Sequence, residues 1–248
     1  MKNCVLFFLL SIMIGSVSFI TSEKPKPFAV VELFTSEGCS SCPIADDLLK
    51  EMSDILQKEG KEVIGLSFHI TYWNKGGWED PYSQEIFTER QKKYVQAINA
   101  EQLYTPQAVV NGEKEFIGSN PIAFRDEVTA AVSKNPVVEI IATAKMKNDS
   151  ITVEYKTNKV QSNTVLNAAI VETHVEHFIP RGENKSRTLK HFNVVRNFLI
   201  STLKADGRIA MLWPDRLAAE NSSVVLYTQN SKSMKITGAS QVKINQEK

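Results

Sequence analysis

Cys39 and Cys42 stand two residues apart in the stretch Gly38-Cys39-Ser40-Ser41-Cys42-Pro43. Two thiols at this spacing reach one another when the first sits at a helix N-terminus. There, unpaired backbone N–H groups and a partial positive charge stabilise a thiolate and lower the pKa of the leading cysteine below its free value of ~8.5. Cys39 is therefore the candidate nucleophile, and Cys42, one turn in, the residue that resolves a mixed disulfide. Pro43 lacks an N–H and suits the first helical turn. The chemistry implied is thiol–disulfide exchange with protein or small-molecule thiols and disulfides, and it implies no organic cofactor.

The setting of the third cysteine matters. Lys2 precedes an apolar run from Val5 to Leu10 and a small-residue exit, Gly15-Ser16-Val17-Ser18. That pattern reads as a signal peptide over residues 1–22, with an uncleaved anchor as the alternative. The run is shorter than the ~20 residues of a spanning helix, so no membrane insertion is expected after cleavage. Cys4 would leave with the signal. The mature chain would then carry only Cys39 and Cys42 in an oxidising compartment, periplasmic or extracellular. A net charge of +1 and no basic stripe argue against nucleic acid as a partner.

The elements that must position the cysteines follow from hydrophobic periodicity. Phe28 to Phe34 reads as a buried strand, and Ile44, Leu48, Leu49, Met52, Ile55 and Leu56 recur at helical spacing up to Gly60. Val63 to His69 is a second strand, parallel to the first because a helix connects them. Residues 70–81 read as an aromatic loop, and Ser83 as the cap of a helix reaching Ala97. Thr105-Pro106 enters a strand, Asn111-Gly112 marks a hairpin and Glu115 to Ile117 returns from it. Asn120 and Pro121 open a last helix that stops before Pro136. This order predicts an α/β thioredoxin-like domain with a mixed sheet over residues 27–135. Residues 136–248 carry about seven β-branched runs separated by turns, predicting an all-β, sandwich-like C-terminal domain.

Within that layout two more features bear on the dithiol. A Thr105–Pro106 bond ahead of the strand would be cis and face the cysteines, leaving backbone groups free to pair with an extended peptide. Glu32, on the strand feeding the cysteines, is placed to take the proton of Cys42, or is an acid at a strand edge.

The stretch Glu32 to Pro43 resembles the bacterial secreted family catalogued as domain of unknown function 1223. So do His69-Ile70-Thr71-Tyr72-Trp73, Gly77-Trp78-Glu79-Asp80-Pro81, Phe87-Thr88-Glu89-Arg90-Gln91, Tyr104-Thr105-Pro106-Gln107 and the segment from Arg181 to Arg196. The resemblance implies export and a thioredoxin-like domain. The family pattern often has Asp where this chain has Thr71, and again near Asn74, so it transfers no acidic role to that loop.

Two other functional classes are open. Cys39, Cys42 and His69 could form a soft Cu(I) site in an exported metal-transfer protein. Alternatively, the cysteines are a structural disulfide in a non-catalytic binding module. His69 itself could tune the thiolate or be a hydrogen-bonded structural histidine. Trp73, Trp78 and Tyr72 line a groove beside the dithiol or pack the aromatic loop onto the sheet. His174 and His177, three apart on a strand, should face opposite sides.

Overall fold

The computed structural model describes residues 26–246. Its first half runs β1 (Phe28–Thr35), α1 (Cys42–Lys58), β2 (Glu62–His69), α2 (Glu85–Ala97), β3 (Gln107–Val110), β4 (Lys114–Ile117) and α3 (Pro121–Val132). The second half runs β5 (Ile140–Lys147), β6 (Ser150–Thr157), β7 (Thr164–Ile179), β8 (Arg187–Thr202), β9 (Asp206–Leu212), β10 (Ser222–Asn230) and β11 (Ile236–Gln246). The N-terminal segment read as a signal peptide lies outside the described residues. Among the described residues no helix is long and apolar enough to cross a membrane.

The expected thioredoxin-like domain followed by a β-sandwich is not what the chain builds. The described strands form one 11-stranded mixed sheet in the order β4-β3-β1-β2-β8-β7-β10-β11-β5-β6-β9. The join is β2 to β8, parallel at Ser67 and Val194, where the Ser67 hydroxyl also donates to the Phe192 carbonyl at 2.8 Å. The change of texture near residue 136 is therefore a change of local pattern and not the end of a sheet.

The reason lies in side-chain alternation along the central strands. Ala169, Val171, Val225 and Tyr227 point into one core with Val30, Phe34, Leu66 and Phe68 of the first half. Leu166, Ala168, Ile170, Val224 and Leu226 point the other way, onto Val153, Tyr155, Ile209 and Met211. Strand β10, buried along nearly all its length, thus serves both halves. A third core packs Leu49, Met52 and Leu56 of α1 and Phe124 and Val128 of α3 on Ala29, Val31 and Leu33.

Two turns carry long-range work. Asn120 caps α3 as expected, its side chain accepting from the N–H groups of Ile122 and Ala123 at 3.1 Å. Asn111, at φ 47°, accepts from Val30 N at 2.7 Å and so pins the start of β1. Its neighbour Gly112 has φ 65°, and a Cβ there would lie 1.9 Å from the Met234 carbonyl oxygen. Only glycine lets the β10–β11 turn come this close. Ser83 does not cap α2. It is held by the Asp80 carbonyl and Asn74, and the helix starts at Glu85.

Candidate functional site: a buried disulfide beside an imidazole–carboxylate chain

Cys39 and Cys42 are joined by a disulfide, with Cα atoms 5.4 Å apart. Helix α1 begins at Cys42, so Cys39 stands in the turn ahead of the helix. Its N–H donates to the Ser36 carbonyl at 3.2 Å, and its own carbonyl accepts from Cys42 N at 3.2 Å. Pro43 occupies the first turn, as its chemistry suggested. Ser40 and Ser41 are exposed, but Cys39 and Cys42 are only 1% and 0% accessible.

The cover comes from the far half of the sequence. Strands β7 and β8 pair from Val165–Thr202 out to Ile179–Arg187, and the tip between them, residues 180–186, lies over the cysteine turn. Asn184, fully buried, donates its Nδ2 to the carbonyls of Glu37 and Cys39 at 2.9 and 3.0 Å. The Glu183 carboxylate accepts from Ser40 N at 3.0 Å. The hairpin tip is therefore the lid of the disulfide.

Beneath this lid lies a set of buried acids and imidazoles. Glu37 Oε1 is 2.8 Å from His177 Nδ1 and 3.3 Å from His191 Nε2, and its Oε2 accepts from Trp78 Nε1 at 2.8 Å. His191 Nδ1 lies 3.1 Å from Asp46 Oδ2, which also accepts from the Thr35 hydroxyl at 3.4 Å. Asp80 Oδ2 meets His69 Nδ1 at 2.7 Å and accepts from Glu37 N at 2.8 Å. The His69 and His191 rings meet edge to face with centroids 4.8 Å apart, and Tyr82 packs against both and against His177.

Local periodicity explains the convergence. Asp46 follows Cys42 by four residues, so both fall on the buried face of α1 with Ala45, Leu49 and Met52, and Ile44 turns out to solvent. His177 pairs with Leu189 and His191 with Val175, which puts both histidines on one face of the β7–β8 hairpin. His174 falls on the other face, against Phe192.

The electrostatics follow from the contacts. Burial opposes a charge on His191, but its hydrogen bonds to Asp46 and Glu37 and their negative charges outweigh it and raise its pKa to about 10. Both ring nitrogens then donate. Burial pushes Asp80 up, yet the charge and hydrogen bond of His69 and two backbone N–H groups bring its carboxyl below the usual value. Burial, helped by the Glu37 charge, pushes the Tyr82 phenol up to about 12, so it stays neutral.

A pH dependence of stability follows. The His191 pKa is raised from 6.5 in the unfolded chain, so its stabilising contribution is complete below that pH and is lost as pH rises through about 10. Unfolding free energy is expected to fall by on the order of 5 kcal/mol across that window. Urea midpoints measured along the window should show the decline in the native chain and a much flatter profile in His191→Gln. Equal slopes in the two proteins would remove His191 as the cause.

The other sequence-derived candidates divide. Thr105–Pro106 is cis. Trp73 ties it to the cysteine loop: its Nε1 donates to the Thr105 hydroxyl at 2.6 Å, and its carbonyl and Cβ lie where a side chain at Gly38 would press, at 3.1 and 3.2 Å from a Cβ there. The Pro106 carbonyl accepts from Gly118 N at 2.9 Å. His69 does join the site, through Asp80.

Glu32 does not join the site, and the expectation that it serves Cys42 is corrected by the pleat of β1. Val30, Glu32 and Phe34 face α2, whereas Ala29, Val31 and Leu33 face α1, which carries Cys42. The Glu32 carboxylate is gripped by Arg90, Nε to Oε2 at 2.6 Å and Nη2 to Oε1 at 2.7 Å, and accepts from the Tyr94 hydroxyl at 2.9 Å. Nor do Cys39, Cys42 and His69 assemble as the three-ligand set considered for copper. The sulfurs are bonded to each other, and among the described residues no group of three or more His, Cys, Asp or Glu side chains is arranged to hold a metal ion.

Sequence reasoning missed Glu37, Asp46, Asp80, Tyr82 and His191. The i, i+4 spacing of Cys42 and Asp46, and the presence of Glu37 and Asp80 inside the recognisable motifs, were the available signals. Nothing in the local pattern of β8 singles out His191.

Fold and site together define a protein built on one large mixed sheet, with a lidded C-x-x-C disulfide beside hydrogen-bonded buried carboxylates and imidazoles. Residues 30–229 match the family described as Protein of unknown function (DUF1223), and the chain belongs to that family. No curated protein matches it. Among solved structures it is similar to Protein AGR_C_4864 from Agrobacterium tumefaciens, at 24% identity over 89% of this chain and 95% of that one, with a TM-score of 0.63. At that identity the likeness speaks to the fold alone. A domain of the outer membrane lipoprotein Omp28 from Porphyromonas gingivalis is 18% identical over 45% of this chain and 90% of that one, but its TM-score is only 0.30.

Proposed function

We propose that this is an exported protein that exchanges disulfides with partner thiols through Cys39 and Cys42. The observation that carries the reading is the company of the disulfide: a two-residue cysteine spacing at the start of α1, closed over buried acids and imidazoles that can hold and move protons. A disulfide that only staples a turn needs no such groups, and burying them is costly unless each is paired. Because the oxidised sulfurs are sealed, exchange requires the 180–186 tip to lift from Ser40 and Cys39. The signal-like N-terminus supports export.

One observation favours a second reading. Near-complete burial of both sulfurs is what a structural staple in a binding module would show. The reduction potential separates the two. Equilibration against glutathione buffers, read by alkylation of free thiols, should give a midpoint within the range of exchange proteins, above about −270 mV. A midpoint below about −300 mV is the mark of a structural disulfide and would make the staple the correct account.

A further inference from the structure

Cys42 poses a problem that the exchange reading, on which this inference rests, does not itself answer. When a partner thiolate attacks Cys39 Sγ, the Sγ–Sγ bond breaks and its electron pair stays on Cys42 Sγ. A second partner thiolate then displaces Cys39, leaving the partner oxidised to a disulfide and both protein sulfurs reduced. Two protons must return to the protein sulfurs, and Cys42 is 0% accessible. A thiolate left there without a counter-charge is expensive.

We propose that Asp46, His191, Glu37 and His177 form a proton relay from solvent to Cys42. The links are a continuous set of hydrogen bonds: His177 Nδ1 to Glu37 Oε1 at 2.8 Å, Glu37 Oε1 to His191 Nε2 at 3.3 Å, and His191 Nδ1 to Asp46 Oδ2 at 3.1 Å. One end is wet: the His177 side chain is 31% accessible. The other end is dry. Asp46 Oδ1 is a buried acceptor with no hydrogen-bond partner. It belongs to the residue one turn beyond Cys42 on the same buried face of α1, where side chains at i and i+4 are neighbours. In the disulfide the Cys42 sulfur has no proton to give, and on reduction its S–H supplies the donor that Oδ1 lacks.

In the reductive direction the charged His191 gives its Nδ1 proton to the Asp46 carboxylate, which passes it to Cys42 Sγ. The ring is then neutral with its proton on Nε2, and a half-turn about its Cβ–Cγ bond presents the bare nitrogen to Glu37, through which His177 recharges it from water. The proton delivered balances one released when the partner thiols ionised. Oxidation runs the same path backwards. The relay is flanked by Asp80 and His69 from β2 and its following loop, by Tyr82 above the three rings and by Glu183 on the tip. These set its electrostatic background without interrupting its links.

The test uses the full chain, reduced with excess dithiothreitol and then freed of it. Thiolate ultraviolet absorbance is followed against pH in the native protein and in Asp46→Asn. Removing the like charge beside Cys42 should lower the pH at which the buried thiol ionises by about one unit or more. Oxidation by glutathione disulfide should slow about tenfold or more in His177→Ala, and added imidazole should restore it. A structural role for His177 would not be rescued by a free base. An Asp46→Asn titration that superimposes on the native one, or a His177→Ala rate that is unchanged, overturns the relay. His177 is partly exposed, so that variant decides the matter if Asp46→Asn fails to fold. A shifted titration in a protein that never exchanges with glutathione would overturn the exchange reading and leave the Asp46–Cys42 coupling standing.

Discussion

Replacing Arg90 by Met is expected to lower the unfolding free energy by about 3–5 kcal/mol, the cost of leaving a buried charge without its partner. Glu32 is wholly inaccessible and Arg90 nearly so. The guanidinium grips the carboxylate with two parallel bonds, and a further N–H reaches Tyr94 Oη and Gln229 Oε1, each at 3.0 Å. Its Cζ lies near the rings of Phe68, Tyr94, Phe198 and Tyr227, with centroids 4.9 to 5.7 Å away. Attraction to Glu32 and the surrounding phenol oxygens outweighs burial and raises the Arg90 pKa still further.

Met retains much of the stem that packs on these rings, so the loss is chiefly one of charge. The double variant Glu32→Gln with Arg90→Met should recover a large share, because a neutral amide can still meet Tyr94 and Gln229. Urea denaturation of the three variants measures this. A single-variant cost under about 1 kcal/mol would mean that the pair does not hold α2 against β1 and β10. The same series checks the correction made to Glu32. Because Glu32 and Cys42 lie on opposite faces of the sheet, Glu32→Gln should leave the pH profile of disulfide exchange where it was.

The second large effect concerns the lid. Asn184→Ala should speed reduction of the Cys39–Cys42 disulfide by a small dithiol about tenfold or more. The change deletes two donors to the carbonyls that flank the cysteine turn, and it deprives Arg187 of the Asn184 Oδ1 it reaches at 2.6 Å. A buried hydrogen bond contributes on the order of 1 kcal/mol, and about 1.4 kcal/mol is a factor of ten in the open fraction. Local opening of a hairpin tip is the low-energy route to a sealed sulfur. Timed alkylation after addition of the dithiol gives the rate. Glu183→Gln, which leaves an acceptor for Ser40 N, should change it much less. If the Asn184→Ala rate equals the native rate, attack on the sulfur does not pass through the tip.

These two predictions sit at places where local pattern and tertiary structure parted. The strands around Val30 and Ile64, the helix after Cys42 and the hairpin at Asn111-Gly112 were legible because each depends on contacts within a few residues: alternation, helical spacing, a turn residue at positive φ. The seven later strands were legible for the same reason. What they pair with was not. The β2–β8 junction rests on one registered pair, Ser67 with Val194, between residues far apart in the chain. No periodicity in either segment encodes its neighbour.

The site divides along the same line. The sequence alone determined which atoms can react: two sulfurs at a spacing that allows them to bond, a proline in the helical turn behind them and a Thr-Pro pair ahead of a strand. Only the tertiary structure decided what surrounds those sulfurs. It sent Glu32 to the wrong face for proton transfer, brought His191, His177 and Asn184 from the far half to Glu37 and the cysteine turn, and closed the turn from solvent. The physical reason is that a thiol's chemistry is written in its residue type and its nearest neighbours, whereas its exposure and its proton source depend on which strand edge docks beside it.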